Sequence, residues 1–190
     1  LQDIQDRFGD EARIGYVGRA KALVPWHRQR SSPVRLGSSV GHPRVTAGTL
    51  GCFVRHRTSS ETGILSNNHV LANINRAKIN DEIWQPGRVD NGSTADRIAT
   101  LKAFVPIIFG GNPNMVDCAW ASNDNPPRPQ NLSEQFDSSG TRVGHLSSTT
   151  PAAAAPGDLV AKSGRTTGYT TGEIDAVNIN NLTVDMGGGT

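Results

Sequence analysis

From residue 45 onward the chain alternates short apolar runs with polar turn residues. The run Gly48-Thr49-Leu50-Gly51-Cys52-Phe53-Val54 is followed, across the polar stretch 55–61, by Thr62-Gly63-Ile64-Leu65-Ser66, a pattern that predicts a β-hairpin. Further strands are predicted over 82–85, where Pro86-Gly87 ends the run, over 97–105 and over 115–121. Five strands within about 75 residues predict a small barrel or sandwich. The polar stretch 123–129 contains Pro126, Pro127 and Pro129 and predicts a linker. Beyond it, 141–146, 158–163, 169–177 and 182–186 are again extended in pattern, with a loop expected at Pro-Ala-Ala-Ala-Ala-Pro, 151–156. These last strands are too few to close a second unit like the first and would leave unpaired edges, so the second unit is expected to be unfinished.

Upstream of residue 45 the texture differs. Ile4, Phe8, Ala12 and Ile14 fall near helical spacing and predict a short helix within residues 1–20. Residues 24–43 carry Pro25, Pro33 and Pro43 among Gly, Ser and Arg, which predicts an irregular arm. The expected organisation is an N-terminal arm over 1–44, a first β-unit over 45–122, and a linker with part of a second β-unit over 123–190.

Composition agrees with a folded, strand-rich chain: 35% of residues are apolar, 21 are glycine, and Thr, Ser and Asn are frequent, which favours an all-β class. A formal charge of +2 gives no electrostatic footprint for nucleic acid. The basic residues Arg19, Lys21, Arg28, Arg30, Arg35 and Arg44 are expected on a solvated arm. No stretch approaches the roughly 20 apolar residues of a membrane span, and no apolar signal core stands near the start. The first residue, Leu1, is not methionine, which leaves a removed leader and secretion open. Cys52 and Cys118 lie in apolar runs without metal-ligand spacing, so both are expected as buried, reduced thiols of a cytoplasmic protein. His27, His42, His56, His69 and His145 are scattered, none at a ligand interval from a cysteine; no metal and no cofactor are predicted.

Two residues carry candidate chemistry. His69 follows the apolar strand Ile64-Leu65 through Ser66-Asn67-Asn68, and a histidine at a strand end can serve as a general base when one ring nitrogen is held by an acceptor. Alone, such a histidine is more often a packed or surface residue. Asp117 lies in Met115-Val116-Asp117-Cys118-Ala119-Trp120, apolar on both sides, where an unpaired carboxylate would cost several kcal/mol to bury. A histidine would make a useful partner; an arginine or backbone N–H groups would serve equally well.

Together these segments resemble the trypsin-like, chymotrypsin-fold serine peptidases, in which a base histidine precedes an orienting aspartate along the chain. Ser66-Asn67-Asn68-His69-Val70 is most similar to the bacterial heat-shock branch, differing from its Thr-Asn-Asn-His-Val segment in the first residue only. Lys162-Ser163-Gly164-Arg165-Thr166-Thr167-Gly168, followed by Thr170-Thr171-Gly172-Glu173-Ile174, resembles the glycine-rich hairpin of that family's second barrel. The resemblance covers residue 45 to the end. It implies two antiparallel β-barrels, the second incomplete here, and acyl transfer to water with His69 as base and Asp117 as its orienting group. Protein or peptide is the implied substrate.

The resemblance also has a gap. The family's serine stands in a late Gly-Asp-Ser-Gly-type turn, and none occurs among these 190 residues. The nearest imitation, Asp137-Ser138-Ser139-Gly140, comes only about twenty residues after Asp117, too early for most of a second barrel to intervene. Ser163 has no catalytic role in the resemblance. The expected serine therefore comes from a C-terminal fragment of the same precursor or a second chain, so this chain alone is expected to be inactive. The rival expectation is a catalytically inactive trypsin-like fold acting as a binding module.

Overall fold

The computed structural model describes residues 24–110, 113–123, 134–145, 152–180 and 182–183. Within them, β1 (Ser39–Val40) pairs antiparallel with β2 (Gly48–Thr49). A five-stranded antiparallel sheet contains β3 (Cys52–Arg55), β4 (Thr62–Ser66), β5 (Glu82–Trp84), β6 (Arg97–Phe104) and β7 (Ala119–Asn123), in the order β3-β4-β7-β6-β5. Two separate hairpins follow, β8 (Glu134–Phe136) with β9 (Arg142–His145), and β10 (Leu159–Gly164) with β11 (Gly168–Glu173). A single-turn helix, α1 (Asn68–Leu71), follows β4. Among the described residues no helix is long and apolar enough to cross a membrane.

The mainly β character agrees with the sequence pattern, and so do most strand positions. The predicted strand over 48–54 is split, because the chain changes partner in its middle. Leu50 N–H donates to Ser38 C=O at 2.9 Å, while the next residue, Gly51, donates to Leu65 C=O at 3.1 Å. The strand predicted over 115–121 begins only at Ala119, and Met115 and Val116 before it are exposed, so the residues flanking Asp117 are not the packed apolar run the sequence suggested. β11 stops at Glu173, after which Ile174 N–H bonds Asp158 C=O and closes the hairpin.

Three expectations need correction. The first concerns closure rather than class: the described strands are antiparallel β as expected but do not form a closed ladder, β1 and β5 meeting only at the isolated bridge between Gly41 and Trp84. The second concerns the arm. Residues 24–44 do lack long strands, but Val34, Leu36 and Val40 are buried in the same core as Leu50, Ile64, Leu71, Ile83 and Leu101, since burying these side chains outweighs the irregular backbone around them. The third concerns the thiols: Cys52 and Cys118 are free, yet both are partly exposed rather than buried. The helix expected within 1–20 and all of the expected linker except Asn123, which ends β7, lie outside the described residues.

Close approach explains two glycines. A Cβ on Gly63 would stand 2.2 Å from Ala121 C=O, so β4 and β7 meet at this spacing only with glycine there. A Cβ on Gly48 would stand 2.2 Å from Val70 Cγ2, which makes Gly48 the floor on which α1 rests. The turn after β10 is pinned to the first unit. Arg165 bonds both carboxylate oxygens of Asp90, at 2.6 and 2.7 Å, and its N–H donates to Thr49 Oγ1 at 3.0 Å. The β8–β9 hairpin is held by Trp26, whose indole N–H donates to Asp137 C=O at 2.6 Å, and by Arg35, whose guanidinium lies 4.2 Å from the Phe136 ring centre.

Candidate functional site

α1 is only one turn long: the Val70 and Leu71 N–H groups reach the Asn67 carbonyl, which leaves those of Asn68 and His69 without a partner from the helix itself. Asn67 stands at its N-cap without making a side-chain cap. The carboxylate of Asp117 fills that role from the segment leading into β7. Its Oδ1 accepts from Asn68 N–H at 2.6 Å and His69 N–H at 3.3 Å, while the Asn67 side-chain amide donates to both Oδ2 and the Asp117 carbonyl at 3.2 Å. Because β7 pairs with β4, Ser66 lying opposite Ala119, the residues just before β7 fall beside those just after β4.

The same carboxylate reaches the imidazole: His69 Nδ1 lies 2.5 Å from Asp117 Oδ2. A carboxylate can only accept, so Nδ1 carries a proton, and in the neutral ring Nε2 keeps the lone pair. His69 is 39% and Asp117 24% exposed at the side chain, so the pair is part of the accessible surface and Asp117 is less buried than its apolar flanks suggest. Among the described residues nothing hydrogen-bonds to Nε2. In the same turn, Val70 and Leu71 are buried, and Ser66 Oγ donates to Thr49 C=O at 2.7 Å, fixing the end of β4.

No protein-family model matches this chain, and no curated protein does either. Its function is to be read from the site.

A second histidine–aspartate pair provides an internal control. His42 Nε2 donates to Asp81 Oδ2 at 3.0 Å, while His42 Nδ1 accepts the Arg44 N–H at 3.1 Å. Burial would raise the Asp81 carboxyl, but the Lys78 N–H and the His42 ring hold it below the usual carboxylate range. Both ring nitrogens of His42 are engaged and the ring is buried, so this pair braces the fold; of the two paired imidazoles, only that of His69 has a nitrogen without a partner among the described residues.

The serines weighed from sequence are engaged elsewhere. Ser139 N–H and Oγ both donate to Asp137 Oδ1, which also accepts Thr141 N–H; these bonds hold the Asp137 carboxyl low. Ser138 lies beside Gly168 and the His27 ring, and Ser163 Oγ donates to Phe136 C=O at 3.5 Å. Among the described residues, no group of three or more His, Cys, Asp and Glu side chains is placed to hold a metal ion.

Sequence reasoning missed three contributors. Asn67 was seen only as part of a motif. Asn68, fully buried, and Asn75 form a side-chain network beneath α1 that no spacing rule announces. The one available signal was the density of asparagines at 67, 68, 73 and 75, a residue type that tolerates left-handed backbone; Asn73, Ile74 and Asn75 have φ of 48°, 52° and 66°.

Proposed function

We propose that this chain supplies the base, His69, and the orienting carboxylate, Asp117, of a trypsin-like serine endopeptidase, the nucleophilic serine coming from a further segment or a second chain. The observation that carries this reading is the 2.5 Å contact between His69 Nδ1 and Asp117 Oδ2, with the carboxylate fixed by two backbone N–H groups and Nε2 left open. An imidazole so held can take a proton from a serine hydroxyl as it attacks a peptide carbonyl. It then returns that proton to the leaving amine, while Asp117 stabilises the imidazolium formed between the two steps. Neither step calls on a cofactor.

The strand order supports the chymotrypsin-type architecture. If β2 and β3 are taken as one bent strand, the neighbours run β1, β2/β3, β4, β7, β6, β5, and the Gly41–Trp84 bridge leads back to β1. This is the connectivity of a six-stranded antiparallel barrel. The hairpins β8–β9 and β10–β11 are then the beginning of the second barrel.

The test uses the complete translation product that contains residues 1–190. A fluorophosphonate probe is expected to label one serine outside Ser138, Ser139 and Ser163, and hydrolysis of an unstructured protein substrate should depend on that serine. Asp117→Asn should lower kcat by about ten-thousandfold, the scale seen when such an aspartate is replaced in serine peptidases. If no serine is labelled and no substrate is cut, the peptidase reading fails, and an inactive trypsin-like fold that binds proteins takes its place.

A further inference from the structure

Asn68 is fully buried, yet its carboxamide is well partnered. Nδ2 donates to Asn75 Oδ1 at 2.8 Å and to Val105 C=O at 2.7 Å, and Oδ1 accepts Asn75 N–H at 3.1 Å. Asn75 turns its own side chain the other way. Its Nδ2 donates to Ile107 C=O at 2.7 Å and its Oδ1 accepts Ile107 N–H at 2.9 Å, so one carboxamide binds residue 107 as a neighbouring strand would. The left-handed backbone through Asn73, Ile74 and Asn75, unfavourable for a β-branched residue such as Ile74, is what brings Asn75 back against Asn68.

These bonds close a circuit around the histidine–aspartate pair. From the Asn68 side chain it runs to Val105; Val105 N–H donates to Cys118 C=O at 2.9 Å; the adjacent Asp117 accepts Asn68 N–H at 2.6 Å. One residue, Asn68, thus holds the backbone that precedes His69 and, through Val105, the backbone that carries Asp117.

We propose that Asn68 and Asn75 are positioning residues that set the contact between His69 and Asp117, a role that rests on the peptidase reading of that pair. Neither touches the imidazole. Both act through backbone, Asn68 from within α1 and Asn75 by fixing Asn68 and the 105–107 segment together. A network satisfied at every member is stiff, and losing one member leaves buried polar atoms of the others unpaired. The predicted effect therefore goes beyond lost stability to a looser carboxylate–imidazole bond.

The experiment needs no nucleophile, and so it separates failure of this proposal from failure of the peptidase reading. In the 190-residue chain, proton NMR should show a strongly deshielded His69 Nδ1–H that exchanges slowly with water and is lost in Asp117→Asn. Asn75→Ala should speed that exchange about tenfold and move the signal upfield. Asn75→Asp keeps the two acceptor bonds and should fall between Asn75→Ala and the native chain. Asn114→Ala serves as the control, because Asn114 braces the same loop through two bonds to Ile108 but lies outside the circuit. It should leave the His69 proton unchanged even when it costs comparable thermal stability. If Asn75→Ala does not fold, Asn75→Asp carries the comparison. A His69 signal unchanged in the Asn75 variants, or moved equally by Asn114→Ala, overturns the proposal alone; absence of the deshielded proton in the native chain overturns the proposal and the peptidase reading together.

Discussion

Two imidazoles show how little residue type decides by itself. His69 and His42 each face an aspartate, but the Arg44 N–H occupies the second nitrogen of His42 whereas nothing among the described residues occupies that of His69. The strand-end position of His69 and its Ser-Asn-Asn-His-Val setting were legible in the sequence. The His42–Asp81 pair was not, because a contact across 39 residues leaves no local pattern. His27 is a third case. It is buried, its Nδ1 has no hydrogen-bond partner among the described residues, and burial, followed by the charge of Arg28, pushes its pKa below the ordinary histidine value. The unfolded chain therefore binds a proton at a pH where the folded chain does not. Stability attributable to this residue is complete above about pH 6.5 and declines as pH falls toward the depressed folded value. Thermal melts at pH 7.5 and 5.5 should show a steeper acid loss for the native chain than for His27→Leu, by roughly 2–4 °C; equal losses would show that His27 titrates normally.

At the scale of elements, the sheet was largely readable, because turn residues punctuate apolar runs at 55–61 and at Pro86-Gly87. What could not be read was the partner change inside residues 48–54 and the late start of β7, since both depend on which strand lies alongside. The burial of Val34 and Leu36 was missed for a related reason: prolines and arginines around them describe the local backbone and say nothing of the core it crosses. Gly63 tests the most demanding contact in the sheet. Gly63→Ala forces its Cβ against Ala121 C=O and should destabilise the chain by about 2–3 kcal/mol, the scale of an overpacked core, measured by urea titration with an unchanged m-value. A loss below about 0.5 kcal/mol would mean that β4 and β7 separate at little cost.

Across the whole molecule, the pin between Arg165 and Asp90 joins the β10–β11 hairpin to the first unit. The Asp90 carboxyl is nearly buried, which alone would raise its pKa. Hydrogen bonds from Arg165 and Ser39, with the charges of Arg165 and Arg28, reverse that and leave it below the usual carboxylate range. A depressed folded pKa means stability that is present above the unfolded value near 4 and lost as pH falls through the folded one. Asp90→Ala should cost roughly 3–5 kcal/mol at pH 7, because it strands a mostly buried guanidinium, and should flatten the acid limb below about pH 4. Chemical denaturation at pH 7 and pH 3 checks both; an unchanged acid limb would remove Asp90 from the account.

The order β3-β4-β7-β6-β5 sets a timetable for synthesis. The outer pairs, β3 with β4 and β5 with β6, are neighbours in sequence and can form as soon as each leaves the ribosome. The central strand is the last of the five to be made, and Ser66 must wait for Ala119. Until residue 123 emerges, the nascent chain carries two half-sheets, each with a row of unpaired backbone N–H and C=O groups open to any other strand nearby. His69 and Asp117 flank that seam, so the histidine–aspartate contact is made by the same event that pairs those open edges.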